Sequence, residues 1–333
     1  MDSVVNRRCA FFGTSEFIGS IQKARFLRGL IRAGTKPVVV VTAPDNPNPR
    51  GGGRTSVPPA VKLTALESGI PVLQPRSLKG FSEELARHEV ELSLVAGYGN
   101  ILPPEVLAVP KFGSLNVHPS LLPRWRGPTP IQAAIVAGDL LAGVTIIQMD
   151  EQMDHGPIIA TREFPLGERA WTALAISDAL ADLGVELFLE ILEPWVLGKI
   201  PPVAQNHEAA TYSHILKKED GHIDWSKSAN AIERMVRAFQ PWPGTYTFWR
   251  RGGDQVRLVI EEVVAVPNRP DRPGLLEAQG RVMEVEAEIA VGAGRGLLMI
   301  RTLRREGGRS MPAREFLPGH RNIVGAALGP KLL

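Results

Sequence analysis

The densest signal for chemistry in the chain is Asn116-Val117-His118-Pro119-Ser120-Leu121-Leu122-Pro123, an amide and an imidazole two residues apart followed by a proline-bounded loop. On a strand, residues two apart point to the same face, so the Asn116 amide and the His118 imidazole project side by side. Pro119 and Pro123 lack the N–H a sheet needs and turn the chain into a loop. The pair therefore sits at the carboxyl end of a strand, facing a cleft, where open α/β sheets bind ligands. A second cluster, Gln148-Met149-Asp150-Glu151-Gln152-Met153-Asp154-His155-Gly156, reads as a strand running into an acidic turn. An Asp from that turn can reach the imidazole and fix its orientation.

Amide, imidazole and carboxylate, with no Ser or Cys nucleophile among them, suit direct acyl transfer. An amine attacks an acyl carbon, the amide N–H stabilises the oxyanion, and the imidazole donates or moves a proton while the carboxylate tunes it. The same residues also fit plain structural roles, a core histidine with a turn-forming Asn and Asp. Arg50 and Arg54 stand in a Pro/Gly-rich loop, Pro44 to Pro59, where an idle loop and a binding loop look alike. No H-E-x-x-H or C-x-x-C spacing occurs and the seven histidines are scattered, so no metal is expected.

The elements around these clusters alternate. Short β-rich runs at 8–13, 38–41, 70–73, 92–96, 114–118 and 144–149 are separated by helical stretches at 15–33, 61–68 and 81–88. Strands alternating with helices indicate a parallel sheet covered on both faces, and continuous apolar strands suit burial on both sides. Gly13-Thr14-Ser15 follows the first strand, but the G-x-G-x-x-G spacing of a dinucleotide site is missing. A long helix over 172–197 carries Leu180, Leu183, Gly184 and Leu187 on one face. Residues 198–211, with Pro201-Pro202 and little periodicity, read as a linker. Ile232, Met235, Val236 and Phe239 then mark an amphipathic helix that Ser228 caps and Pro241-Trp242-Pro243-Gly244 stops. Alternation at 282–289 predicts one half-exposed strand, with further strands at 256–266 and 297–303. Such strands suggest a small barrel or sandwich. The expected fold is thus α/β, a Rossmann-like doubly wound parallel sheet with a smaller β domain behind it.

The composition, 44% hydrophobic and 22% charged over 333 residues, is that of an ordinary globular protein with room for two domains. One cysteine, Cys9, excludes an intrachain disulfide and fits a reducing compartment. No apolar run approaches the ~20 residues of a membrane helix, and the first eight residues lack a signal peptide's apolar stretch. A cytoplasmic protein with no membrane partner is expected. The net charge of +3 is uneven: residues 1–210 hold 19 Lys and Arg against 21 Asp and Glu, and residues 211–333 hold 19 against 14. A basic carboxy-terminal third points toward a polyanionic partner.

The run from Asn116 to Gln132, Asn-Val-His-Pro-Ser-Leu-Leu-Pro-Arg-Trp-Arg-Gly-Pro-Thr-Pro-Ile-Gln, strongly resembles the methionyl-tRNA formyltransferase family. So do 143–151, 153–156 and 12–17. Lys218 to Trp225 and Phe239 to Gly244 resemble its linker and second domain. The resemblance implies residues 1–205 as a Rossmann-like catalytic domain of formyltransferase fold and 206–333 as an OB-like β-barrel that binds tRNA. It implies Asn116, His118 and Asp154 as catalytic residues and 10-formyltetrahydrofolate as the formyl donor. Ser120, Leu121, Leu122 and Pro123 match the segment lining the folate site. Arg50 matches a tRNA-contacting position in the loop after the second strand, and Arg54 stands where the family usually has Lys. Asn46 replaces the loop's first Arg, and Met153-Asp154-His155-Gly156 replaces the common Leu-Asp-Thr-Gly. The implied reaction moves a formyl group to the α-amino group of methionyl initiator tRNA, by a monomeric enzyme needing no metal. Relatives with the same trio act on amino-sugar nucleotides or hydrolyse 10-formyltetrahydrofolate, and these are the alternatives.

Overall fold

Cys9-Ala10-Phe11-Phe12 is buried along its whole length and forms the first strand, β1 (Cys9–Phe12). A strand apolar on both faces needs neighbours on both sides and cover above and below. It pairs in parallel with β2 (Val39–Val41) and with β4 (Leu92–Val95), while β3 (Val72–Leu73) adds to β2. The next strand, β5 (Ser114–His118), continues the parallel run beside β4. In this computed structural model the residues described are 7–14, 24–47, 56–167, 170–251, 254–266 and 279–331.

Two further strands depart from the parallel pattern. The strand β6 (Leu141–Gln148) runs antiparallel to β5, and β7 (Ile158–Pro165), which the sequence pattern did not reveal, runs antiparallel to β6. The order is β3-β2-β1-β4-β5-β6-β7, so a doubly wound parallel sheet carries an antiparallel edge. Antiparallel pairing brings the carboxyl end of β6 away from that of β5. Met149 N–H donates to Ser114 O at 2.8 Å, at the amino end of β5, so the turn after β6 must fold back along β5 to bring Asp154 to Asn116 and His118. The first helix is Arg25–Arg32, the described part of the stretch expected over 15–33.

The long helix runs Ala173–Val196. It carries Gly184 where a Cβ would stand 2.9 Å from Val117 Cγ1 and 3.0 Å from Phe26 Cε2. Gly at that position lets the helix lie close on the sheet. The chain divides into two compact units, and the first runs on to Ile215.

In the second unit, Ser228 caps helix Ala229–Ala238 by accepting from Ala231 N–H at 3.3 Å, and Ile232 and Val236 point into a core with Trp225, Trp249 and Ile260. The strands are β8 (Thr245–Arg251), β9 (Asp254–Val266), β10 (Val282–Val285), β11 (Glu288–Gly292), β12 (Leu297–Arg305), β13 (Met311–Pro312) and β14 (Leu328–Gly329). All their pairings are antiparallel, in the order β10-β11-β12-β9-β8-β14, with β13 on β12. An antiparallel bridge between Arg281 and Ala327 joins the last strand to the first, so the sheet closes into the OB-like barrel. The single strand expected over 282–289 is a hairpin, because Glu286 and Ala287 both take positive φ and reverse the chain. Among the described residues no helix is long and apolar enough to cross a membrane.

Candidate active site

Asn116 and His118 meet on one carboxylate. Asn116 Nδ2 donates to Asp154 Oδ1 at 3.1 Å, and His118 Nδ1 stands 3.4 Å from the same oxygen. The spacing on β5 puts both side chains on one face, and the turn after β6 delivers the acid. The other carboxylate oxygen, Asp154 Oδ2, accepts from the Gly127 main-chain N–H at 2.8 Å. His118 Nε2 donates to Trp125 O at 2.9 Å. Both ring nitrogens thus face acceptor oxygens. An amide nitrogen carries two hydrogens, so Asn116 retains one for a ligand oxygen after binding Asp154. The cleft-facing position expected for His118 is corrected in one respect: the residue is 4% exposed, because the loop after β5 folds over its ring.

That loop is held from within. Thr145 on β6 donates its hydroxyl to Ser120 O at 2.7 Å and accepts from Leu122 N–H at 3.1 Å. Ser120 donates its own hydroxyl to Arg124 O at 2.7 Å. Ser120 and Leu122 are turned inward and buried, while Leu121 and Pro123 are half-buried. Gly143 makes room for Leu121, since a Cβ there would lie 2.4 Å from Leu121 Cδ2. Trp125 N–H reaches Thr211 Oγ1 at 2.9 Å.

The turn that carries Asp154 is equally constrained. Asp154 has φ 50, a left-handed conformation that Asp tolerates better than most residues. A Cβ at Gly156 would lie 1.9 Å from Gln148 O, so the chain passes there only as glycine. Gln205 Nε2 donates to Asp154 O at 2.9 Å and to Gly156 O at 2.7 Å. Gln205 comes from the stretch read as a linker. That stretch is tied down, with Val203 bridging Ile158 and Gln205 6% exposed.

Behind Gln205 lies Arg126, 2% exposed. Its Nε and Nη2 donate to Gln205 Oε1 at 3.2 and 2.7 Å, and Nη2 also donates to His207 Nδ1 at 2.8 Å. The His207 ring stacks on His155 at 4.1 Å between centroids and 1° between planes. His155 Nδ1 pairs with Asp150 Oδ2 at 2.6 Å. The His207 imidazole is held below the ordinary histidine range by desolvation first, then by the charges of His155 and Arg126, with Asp150 acting the other way.

Of the sequence-derived site residues, the structure brings Asn116, His118 and Asp154 together and places Ser120 to Pro123 in the adjoining loop. Arg50 and Arg54 lie outside the described residues. Gln205, Arg126, Thr145, Thr211 and His207 escaped the sequence reading. Arg126 lies inside the Asn116–Gln132 motif, whereas Gln205 carries no local signal at all. Among the described residues no group of three or more His, Cys, Asp or Glu side chains could hold a metal ion.

Comparison with known proteins agrees with this architecture. Residues 7–192 match the family described as "Formyl transferase", and residues 215–321 match "Formyl transferase, C-terminal domain". A protein of Marinobacter nauticus named methionyl-tRNA formyltransferase is 40% identical over 95% of this chain and 97% of its own length. One of the same name from Chloroflexus aurantiacus is 45% identical over 78% of this chain and 82% of its own. Among solved structures, HypX from Aquifex aeolicus in complex with tetrahydrofolic acid shares the fold, with a TM-score of 0.62 at 19% identity over 95% of this chain. The chain spans about half of HypX, 48% of its length. An N-formyltransferase from Helicobacter canadensis, solved with folinic acid and dTDP-3-aminofucose, gives a TM-score of 0.61 at 17% identity, covering 92% of this chain and all of that one. The matches at both ends and the full-length relatives together establish that the chain belongs to the formyl transferase family.

Proposed function

We propose that the chain transfers the formyl group of 10-formyltetrahydrofolate to the α-amino group of methionyl initiator tRNA. The observation that carries this reading is the convergence of Asn116 Nδ2 and His118 Nδ1 on Asp154 Oδ1, at 3.1 and 3.4 Å. Two supports come from outside the site: the relatives with matched length carry the name methionyl-tRNA formyltransferase, and residues 211–333 are basic.

In this reading the amine attacks the formyl carbon, forming the new C–N bond, and the old bond to the donor nitrogen then breaks. The remaining Asn116 N–H points at the oxygen that becomes negative. Because His118 Nε2–H is given to Trp125 O, the proton the amine loses goes to Nδ1, beside Asp154, and one returns from there to the leaving nitrogen. Asp154, fixed by Gly127 and Asn116, holds the ring and balances the charge it gains. Half-buried Leu121 and Pro123 fit the flat face of a folate ring. The buried Ser120 hydroxyl, whose proton goes to Arg124 O, serves the loop's shape instead. Residues 1–205, with the stretch to Ile215 that belongs to the same compact unit, form the catalytic domain, and the rest of 206–333 forms the tRNA-binding domain of a cytoplasmic monomer, with Arg50 and Arg54 contacting the tRNA.

The test offers charged initiator tRNA, charged elongator methionine tRNA and amino-sugar nucleotides in parallel, each with 10-formyltetrahydrofolate. Formylation of the initiator tRNA far above the others is expected. Preference for an amino-sugar nucleotide, or hydrolysis of the donor without transfer, would overturn the assignment.

A further inference from the structure

A buried guanidinium is costly unless its donors are satisfied. Among the described residues, Arg126 has no carboxylate as a hydrogen-bond partner. It spends its donors on Gln205 Oε1, His207 Nδ1 and, at 3.4 Å, the Tyr212 hydroxyl. Arginine only donates, so each partner must accept. Two consequences follow for the residues around it. Gln205 Oε1 is pinned to the guanidinium, which leaves its Nε2 no orientation but toward the carbonyls of Asp154 and Gly156. His207 must present a bare Nδ1, so its ring must be neutral.

The two carbonyls that Gln205 holds flank His155, and Asp154 itself is in a left-handed conformation that a free turn would readily leave. We propose that Gln205, gripped by buried Arg126, is a positioning residue for formyl transfer: it fixes the Asp154 turn against Asn116 and His118, and its grip holds only while His207 is neutral. The inference rests on the assignment of Asp154 to the reaction. It goes beyond that assignment by giving the turn a clamp and the clamp a proton-sensitive member.

The groups that face His207 are Arg126, the stacked His155 ring and the Asp150 carboxylate behind it. A proton on His207 Nδ1 would turn an acceptor into a donor opposite Arg126 and place two cations together. The Arg126 donor would be left without its partner, and the hold on Gln205 Oε1 would loosen with it.

Gln205→Glu separates positioning from folding. A carboxylate still accepts from Arg126, and gains an ion pair, but has no N–H for the two carbonyls. The expected result is kcat lowered by about 10- to 100-fold, the scale of a small misplacement of a reacting group. KM for donor and tRNA should stay within about twofold, as expected when binding contacts are untouched, and the melting temperature should be unchanged or higher. Wild-type kcat in Gln205→Glu overturns the clamp. Asp154→Asn is measured alongside: if that variant too is fully active, the assignment of Asp154 fails, and if it alone is inactive, only the clamp fails. The proton-sensitive member is read without activity, from the ¹⁵N signal of the Gln205 side-chain amide. It should shift with the titration of His207 in the wild type and lose that shift in His207→Asn, whose amide oxygen accepts at any pH. A Gln205 signal indifferent to His207 protonation overturns that part.

Discussion

The Gly127 main-chain N–H donates to Asp154 Oδ2 at 2.8 Å, across 27 residues of sequence. That one bond ties the loop after β5 to the turn after β6 and leaves Oδ1 for Asn116 and His118. The carboxylate is therefore a hub, with an amide donor on each oxygen and an imidazole beside it.

The hub makes Asp154→Asn a sharp substitution. An amide offers one acceptor oxygen where two are needed, so its NH₂ must face either the Gly127 N–H or the Asn116 amide. The charge that balances a protonated His118 is lost as well. We expect kcat to fall by about 100-fold or more, measured at saturating donor and tRNA, with the circular dichroism spectrum retained. Turnover near the wild-type value would reduce Asp154 to a turn former.

Asp45 provides a pH-dependent contribution at the start of the Pro/Gly-rich loop. Hydrogen bonds from Lys62 Nζ and Gln74 Nε2, at 2.8 Å each, hold its carboxyl below the usual carboxylate range, against some desolvation and with help from the Lys62 charge. A carboxylate lowered in the folded state stabilises above its unfolded pKa, and that stability is lost as pH falls through the folded value. The pair is partly exposed, so the contribution should be below about 1 kcal/mol. Lys62→Met should lower urea stability at pH 7, and the difference from wild type should shrink below about pH 4. A difference constant with pH would assign the effect to packing of the lysine stem.

The hairpin between β10 and β11 turns on Glu286 and Ala287, with φ 52 and 62. Two-residue turns of this kind favour Asn-Gly, because residues with a Cβ pay for positive φ. The double substitution Glu286→Asn, Ala287→Gly should stabilise the barrel by about 1 kcal/mol. Denaturant melts of the full chain provide the check, and lower stability would show that these side chains make contacts worth more than the backbone strain.

The basic second domain should bind tRNA by neutralising phosphates. Affinity should fall with salt at a log–log slope of about −0.7 to −0.9 per contact, and the excess of 19 basic over 14 acidic residues allows only a handful. Arg50→Ala should raise the KM for initiator tRNA and spare that for the donor. Binding that is flat with salt, or a raised donor KM in Arg50→Ala, would contradict these roles.

The sequence by itself determined the paired strand residues, because a spacing of two on a strand puts Asn116 and His118 on one face whatever surrounds them. It also determined the capped helix at Ser228, whose signal is local, and the alternating elements of the first sheet. The antiparallel edge was not legible: β6 is a run of apolar residues, and strand direction is decided by the path of the connection, not by composition. The turn at Glu286-Ala287 was hidden because neither residue advertises positive φ. Gln205 was hidden for a deeper reason. Its partners are two main-chain carbonyls, which every residue possesses, and an arginine 79 positions away. Only the folded chain decides which carbonyls end up without a donor, so only the tertiary structure could choose the glutamine that satisfies them.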